Sequence, residues 1–309
     1  MKQVYVKCNL CGRDNWTVRF PATLDGAHEL DVSAFRCTSA TYGRHPQIVE
    51  CRHCGHVYAN PRWQGDDLLD VYQAVEDEPY VRERQGRELT FSRHLAALEE
   101  VTGPPAGRSL LDVGAYIGVF VEVARASGWD ACGIEPSAWA VRAARRWGLP
   151  VIQGTQTSPE LAGRRFDVIT MWDVIEHVDD PAAELARAYQ LLKPGGWIAV
   201  HTMDVDSLAA RLMGRRWPWL MDMHVHYFNR RTLVQLLRKQ QFQIVWVGTQ
   251  GRYLRLEYLA TRVEGINRTL GRWLTRLVRG LRLSQLVVPV NFGDLFTVYA
   301  RRPRSDDPS

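Results

Sequence analysis

The chain has 309 residues, 46% of them apolar and 24% charged, with a formal net charge of +5. That length suits one principal domain with an appendage, and that composition excludes wholesale disorder. No stretch supplies the roughly 18–20 uncharged apolar residues that a membrane span requires, and MKQVYVKCNLC has no apolar signal core. The expected compartment is therefore the cytoplasm.

Four of the six cysteines form two C-x-x-C pairs, Cys8/Cys11 and Cys51/Cys54, each followed by glycine. In a reducing compartment such pairs are more often metal ligands than disulfides. Two half-sites of thiolates make one tetrahedral site suited to zinc, and four protein ligands leave no open position, so the role expected is structural. The 39 residues between the pairs predict an insertion with strands of its own, for example HELDVSAFRC. His53 and His56 are expected at the surface. This zinc ribbon spans residues 1–63.

Residues 64–107 read as a helical linker, with helices over Leu68–Val75 and Leu89–Val101 ended by Gly103-Pro104-Pro105. From 108 to about 300 strands and helices alternate. Leu110–Val113, Ala131–Glu135, PVIQG, FDVITM and WIAVHTM are strands; helices lie at Val119–Ala126, from Ser137 to Trp147 and after Asp180-Pro181. Continuous apolar strands alternating with amphipathic helices predict an α/β fold, a Rossmann-like doubly wound sheet, mostly parallel with an antiparallel last strand.

Such sheets bind ligands at the carboxyl ends of their strands. There the first strand gives Asp112, Gly114, Ala115, Tyr116 and Gly118, the second ends at Glu135-Pro136, and the fourth runs into Trp172-Asp173-Val174-Ile175-Glu176-His177. Glu135 lies 21 residues past Gly114, a separation that lets a carboxylate at the next strand tip take a ribose diol. A dinucleotide calls for G-x-G-x-x-G, and this loop has glycines only at 114 and 118.

LLDVGAYIGVF, GIEPS, FDVITMWDVIEHVDDP, LLKPGGWIAVHTM, GRRWPWLMDMHVHYFNRRTLVQLL and CGHVYANPR together resemble the class I S-adenosylmethionine-dependent methyltransferases. The resemblance covers almost the whole chain and is to the bacterial branch with an N-terminal four-cysteine zinc ribbon. It implies S-adenosylmethionine as cofactor. Asp112, Gly114, Ala115, Tyr116 and Gly118 would form the loop at its methionine part, Glu135 and Pro136 would meet the ribose, and Trp172 and Asp173 would line the site. Tyr116 stands where many members have a glycine, so its side chain must point away from the cofactor or close over it.

Methyl transfer is an in-line displacement that depends chiefly on positioning, with a general base helping a hydroxyl acceptor. His177 is placed for that base, or for bracing its loop. His224 and His226, at i and i+2, share a face if extended, and the resemblance sets their segment over the acceptor pocket. The stretch of about 204–231 is read as a lid. Residues 265–283 form a basic amphipathic helix, a pattern suited to packing on the sheet, to a homodimer contact or to an anionic membrane surface; a short disordered tail, 301–309, follows. The expected activity is O-methylation of a small-molecule or glycan-type acceptor. An RNA methyltransferase is the alternative, but residues 1–63 carry 8 Lys and Arg against 5 acids in scattered positions, which argues against a phosphate-binding face. A non-enzymatic assembly protein is the reading of another class.

Overall fold

The computed structural model describes residues 3–24, 32–39, 41–63 and 65–304. Along the chain, the front is built from β1 (Gln3–Val4), β2 (Trp16–Phe20), β3 (Ile48–Cys51), β4 (Val57–Ala59) and β5 (Arg62–Trp63). Helices α1 (Gly65–Ala74), α2 (Glu78–Arg82) and α3 (Arg84–Thr102) lead to β6 (Ser109–Val113), α4 (Val119–Ala126), β7 (Asp130–Glu135), α5 (Ala138–Arg146), β8 (Val151–Gln153) and β9 (Phe166–Trp172). Next come α6 (Pro181–Leu191), β10 (Leu192–Met203), α7 (Leu208–Met213), β11 (His226–Tyr227), α8 (Arg230–Lys239), β12 (Gln243–Thr249) and β13 (Arg252–Arg255). The chain closes with α9 (Leu256–Ile266), α10 (Arg268–Gly280), β14 (Val287–Val290) and β15 (Leu295–Arg301).

The central sheet has the order β12-β15-β10-β9-β6-β7-β8. Strands β6 to β10 pair in parallel, and β15 lies antiparallel between β10 and β12. Three of the helices that cover the sheet start where the sequence offers a side-chain cap. Ser137 accepts from Ala140 N–H, Asp180 accepts from the N–H groups of Ala182 and Ala183, and Asn229 forms a reciprocal box with Thr232. The helices bury their apolar stripes on both faces: Leu185, Leu233 and Leu236 on one, Leu98, Phe120 and Val141 on the other.

Several expectations change. The span HELDVSAFRC makes no described strand: His28–Asp31 lie outside the described residues, and Val32–Phe35 is a 3-10 turn. His56 is fully buried rather than at the surface. The segment 64–107 is more than a linker, because α1 packs on α5 and α3 packs on α4. Before the last strand, β14 pairs with β13 in a ribbon separate from the main sheet. The basic helix does not begin at Gly265, since Asn267 breaks it and caps α10 by accepting from Leu270 N–H. Of the tail, Arg301 completes β15, Arg302 donates to the carbonyls of Tyr189 and Leu192, and 305–309 lie outside the described residues.

The ribbon is not a free module. Strand β11, from the expected lid, adds to the front sheet in the order β11-β4-β3-β2. Beneath it Arg62, 3% exposed, donates to His226 Nε2 at 3.2 Å and to the Asp179 carbonyl at 2.7 Å, and pairs with the Asp179 carboxylate at 2.8 Å. Accepting at Nε2 puts the His226 proton on Nδ1, which donates to His56 Nε2 at 3.0 Å. Burial, then the neighbouring Arg62, lowers both histidine pKa values, so the chain of rings is neutral. Replacing Arg62 by alanine removes the donor to buried His226 Nε2 and the ion pair with Asp179. The expected loss is about 2–3 kcal/mol in chemical denaturation, with ribbon and core melting together; a separate, earlier ribbon transition in the wild type would contradict the shared sheet.

Candidate active site

At the carboxyl ends of β6, β7 and β9 a cavity of about 900 Å³ opens. Asp112, Gly114, Ala115, Tyr116, Glu135, Pro136, Trp172, Asp173, His177 and His224 all line it, whereas Gly118 and His226 do not. Gly118 instead serves packing, with φ of +80° and a site where a Cβ would meet Leu149 at 2.9 Å. His226 turns away because His224 precedes β11 in a non-extended segment, so the i, i+2 alternation fails. Its ring is spent on the Arg62–His56 chain instead of the cavity.

The first loop is tight by necessity. Gly114 has φ of +70°, and a Cβ there would lie 2.6 Å from Val174. Tyr116 adopts φ of +49°, unusual for a bulky residue. Its ring is held edge-on to Tyr80 of α2 at 4.5 Å and near Trp139 at 5.9 Å, so it both lines the cavity and leans on the helical cover. Glu135 anchors this loop: Oε2 accepts from Tyr116 N–H at 2.9 Å and Oε1 from Ser137 N–H at 2.8 Å. Burial pushes its pKa up to about 7 against these two bonds. Asp112, under the loop, accepts from Thr170 Oγ1 at 2.6 Å and is raised by burial to about 8.

The opposite wall follows β9. Asp173, at φ of +56°, pairs with Arg252 at 2.6 Å. Trp172 packs among Phe91, His94, Phe120 and His201. Glu176 is buried, accepts from Thr202 Oγ1 at 2.9 Å, and is raised to about 8 by burial and then by Asp173. His177 Nδ1 lies 2.7 Å from Tyr72 Oη and 3.0 Å from the Met223 carbonyl, and its ring centroid is 4.8 Å from that of His224. Tyr72 Oη also donates to the Met223 carbonyl at 3.2 Å; with its one proton used there, Nδ1–H donates to Tyr72 Oη and the same carbonyl, the tautomer in which Nε2 keeps its lone pair. Burial lowers the His177 pKa, and that of His224 to about 3, with His224 Nδ1 tied to the Trp219 carbonyl at 2.7 Å. Glu176, His177 and His224 each present a ligand atom within 4.8 Å of the others, an arrangement that could also take a cation.

Sequence reasoning missed Tyr72, Arg87 and Arg252. Arg87 is the most informative: its guanidinium lies 4.0 Å over the Tyr80 ring, lines the cavity, and has no acidic partner among the described residues. Its signal was its place on α3, at a spacing that local patterns do not decode.

At the front, Sγ atoms of Cys8 and Cys54 lie 3.5 Å apart, as do those of Cys11 and Cys51, and all four fall within 4.8 Å of one another. A tetrahedral ion with Zn–S near 2.3 Å sets sulfurs about 3.8 Å apart, so this donor set fits. Gly12 and Gly55 turn both knuckles alike, at φ of +71° and +73°, donating to the carbonyls of Cys8 and Cys51 at 2.8 Å each. Cys37 is separate from the cluster, in the cavity wall, and Cys132 is buried.

Residues 80–247 match the Methyltransf_23 family, described as a methyltransferase domain. A ubiquinone biosynthesis O-methyltransferase of Cereibacter sphaeroides is 34% identical over 146 residues, 45% of this chain and 57% of that protein. Another, from Bordetella avium, is 30% identical over 115 residues, 35% of this chain and 47% of that one. The chain thus spans about half the length of the curated relatives it matches. Among solved structures, a chain of the complex between the Haloferax volcanii Trm112 methyltransferase activator and a methyltransferase superposes with a TM-score of 0.52 at 14% identity, over 79% of this chain and 100% of that one.

The first loop can be tested with two alanine substitutions of matched backbone strain. Gly148→Ala, at φ of +69° with open space around it, should cost about 1 kcal/mol in urea denaturation. Gly114→Ala should cost clearly more, because Val174 must also move; equal losses would mean the close approach is unimportant.

Proposed function

The chain belongs to the class I S-adenosylmethionine-dependent methyltransferases, and we propose that it methylates a hydroxyl group of a small-molecule or glycan-type acceptor bound in the cavity. One observation carries this reading: a single cavity has a backbone-anchored carboxylate, Glu135, on one wall and a neutral histidine with a free lone pair, His177, on another. The names of the relatives, which are O-methyltransferases of a small molecule, favour the same acceptor class.

When bound, S-adenosylmethionine supplies an electrophilic methyl group on a sulfonium. Glu135 would take the ribose hydroxyls with the lone pairs that Tyr116 and Ser137 leave free, and those two new donors would favour its anionic form. Arg87, with an open guanidinium and no acidic partner, would hold the carboxylate of the methionine part beside the Gly114–Tyr116 backbone. Trp172 and Asp173 would bound the site, and Tyr116 with Tyr80 would close it from water.

His177 would accept the hydroxyl proton at Nε2 as the oxygen–methyl bond forms and the sulfur–methyl bond breaks. Its Nδ1–H bond to the Met223 carbonyl fixes the tautomer, and Tyr72 holds the ring edge. Glu176, carrying its own proton near neutral pH, would not compete for that role. His224 would contact the acceptor, since burial keeps it neutral and its Nδ1 is engaged.

We expect His177→Ala to slow turnover by about 10²–10⁴-fold with S-adenosylhomocysteine affinity by calorimetry nearly unchanged. The His177 pKa lies below the ordinary 6.5. The neutral base therefore persists as pH falls past that value, and the acid limb of the wild-type kcat profile should lie below pH 6.5. An unaltered rate in the variant would make His177 a brace only. Glu135→Ala should weaken S-adenosylhomocysteine at least tenfold; equal affinity would remove the ribose assignment.

The four cysteines would hold a structural zinc ion. Cys51→Ser protein should carry less than one equivalent of zinc by elemental analysis and melt at a lower temperature. Full zinc content with unchanged melting would rule out the four-thiolate site.

A further inference from the structure

The most polarised surface of the molecule is the hairpin of α9 and α10, which lies beyond the stretch matched by the methyltransferase family. Its inner helix walls the cavity through Tyr258, Arg262 and Ile266. Its outer helix buries only Gly271 and Val278. Leu270, Trp273, Leu277 and Leu281 recur at i, i+3, i+7 and i+11, a single stripe on α10 and its C-cap, and are 42–59% exposed. Such a stripe was expected to be covered by the sheet, by a second subunit or by lipid; in the chain itself it is uncovered.

Charge identifies the partner. Residues 256–292 hold six arginines and two acids, Glu257 and Glu264, and both acids are taken by Arg279 and Arg272. Arg268, Arg276 and Arg282 have no acidic partner among the described residues. A second copy would bring an equally basic hairpin to the contact, whereas an anionic surface would complement it. An exposed tryptophan within an apolar stripe beside arginines is the composition favoured at a bilayer interface. No described helix is long and apolar enough to cross a membrane, so the contact would be peripheral.

The second observation concerns the cavity. Ile266 and Phe292, 50% and 69% exposed, belong both to this apolar surface and to the cavity lining. One edge of the cavity therefore reaches the surface beside the start of the stripe. We propose that the outer face of α10 seats the protein on an anionic lipid surface, with the cavity mouth facing the acyl region so that an acceptor carrying an apolar chain can enter from the bilayer. The acceptor part of this inference rests on the methyltransferase reading above; the docking part does not.

The test is co-sedimentation of the full, zinc-loaded chain with vesicles of phosphatidylcholine alone or with 30 mol% phosphatidylglycerol added. We expect at least tenfold stronger partitioning onto the anionic vesicles, weakened by 0.5 M salt. The variant L270S/W273S/L277S should lose this binding by at least tenfold while its melting temperature and S-adenosylhomocysteine affinity stay at wild-type values. Arg276→Glu with Arg282→Glu, which leaves the stripe intact, should lose it as well. Equal partitioning onto both vesicle types, undiminished binding by the variants, or a concentration-dependent dimer in sedimentation equilibrium with no vesicle binding would each overturn the proposal. Failure of S-adenosylhomocysteine to bind the wild type would defeat the methyltransferase reading instead, leaving the vesicle result standing.

Discussion

Two backbone N–H groups, those of Val225 and His226, both donate to the Glu176 carbonyl at 3.0 Å, and the rest of the site depends on that clasp. It ties the loop after β9, which carries Glu176 and His177, to a strand that completes the ribbon sheet. The turn before that strand sets the Met223 carbonyl against His177 Nδ1. Below it, the buried Arg62–His226–His56 chain links both units through neutral rings and one guanidinium. In this network Arg62 Nη1 and Nη2, both His226 ring nitrogens and His56 Nε2 find partners, while His56 Nδ1 and Arg62 Nε have none among the described residues. The ribbon is consequently part of what shapes the loop that carries Glu176 and His177.

The electrostatics of the cavity follow from burial. Carboxyl groups that would ordinarily be ionised, Asp112, Glu135 and Glu176, are pushed toward neutrality, and histidines that would ordinarily titrate near pH 6.5 are held unprotonated. Beside the first loop and the end of β9 the remaining charged groups are the Asp173–Arg252 pair on one wall and Arg87 on another, while Asp179, Asp180, Glu184, Arg187, Arg262 and Asp294 line other parts of the cavity.

Much of the catalytic half was legible because it is written in local periods. Strand tips, capping residues and the 21-residue step from Gly114 to Glu135 act over one or two elements, and β6, α4, β9 and α6 lie where apolar runs and caps set them. Contacts across the chain were not legible. The β11–β4 pairing joins residues 168 positions apart, His226 with Tyr58, and two residues carry no strand period to read. His56 follows a metal knuckle and reads as exposed until that strand covers it. The division at Asn267 was hidden by apolar spacing that runs unbroken through Ile266, Leu270 and Trp273, although asparagine is itself a cap signal. Arg87 and Tyr72 became visible only once α1 and α3 were folded over the sheet, since nothing in their neighbours distinguishes them from ordinary helix surface.

The cavity wall has a mixed parentage. Sheet tips contribute one side, while the other is assembled from Phe35 and Cys37 of the ribbon insertion, Tyr72 of α1, Trp219 and Met223 after α7, and Tyr258 of α9. None of these four stretches carries the strand-end backbone proposed to hold the cofactor. Mutation can therefore recut the chamber's contours piece by piece while the gripping backbone persists, and descendants of this scaffold are free to trade one guest for another without relearning the chemistry.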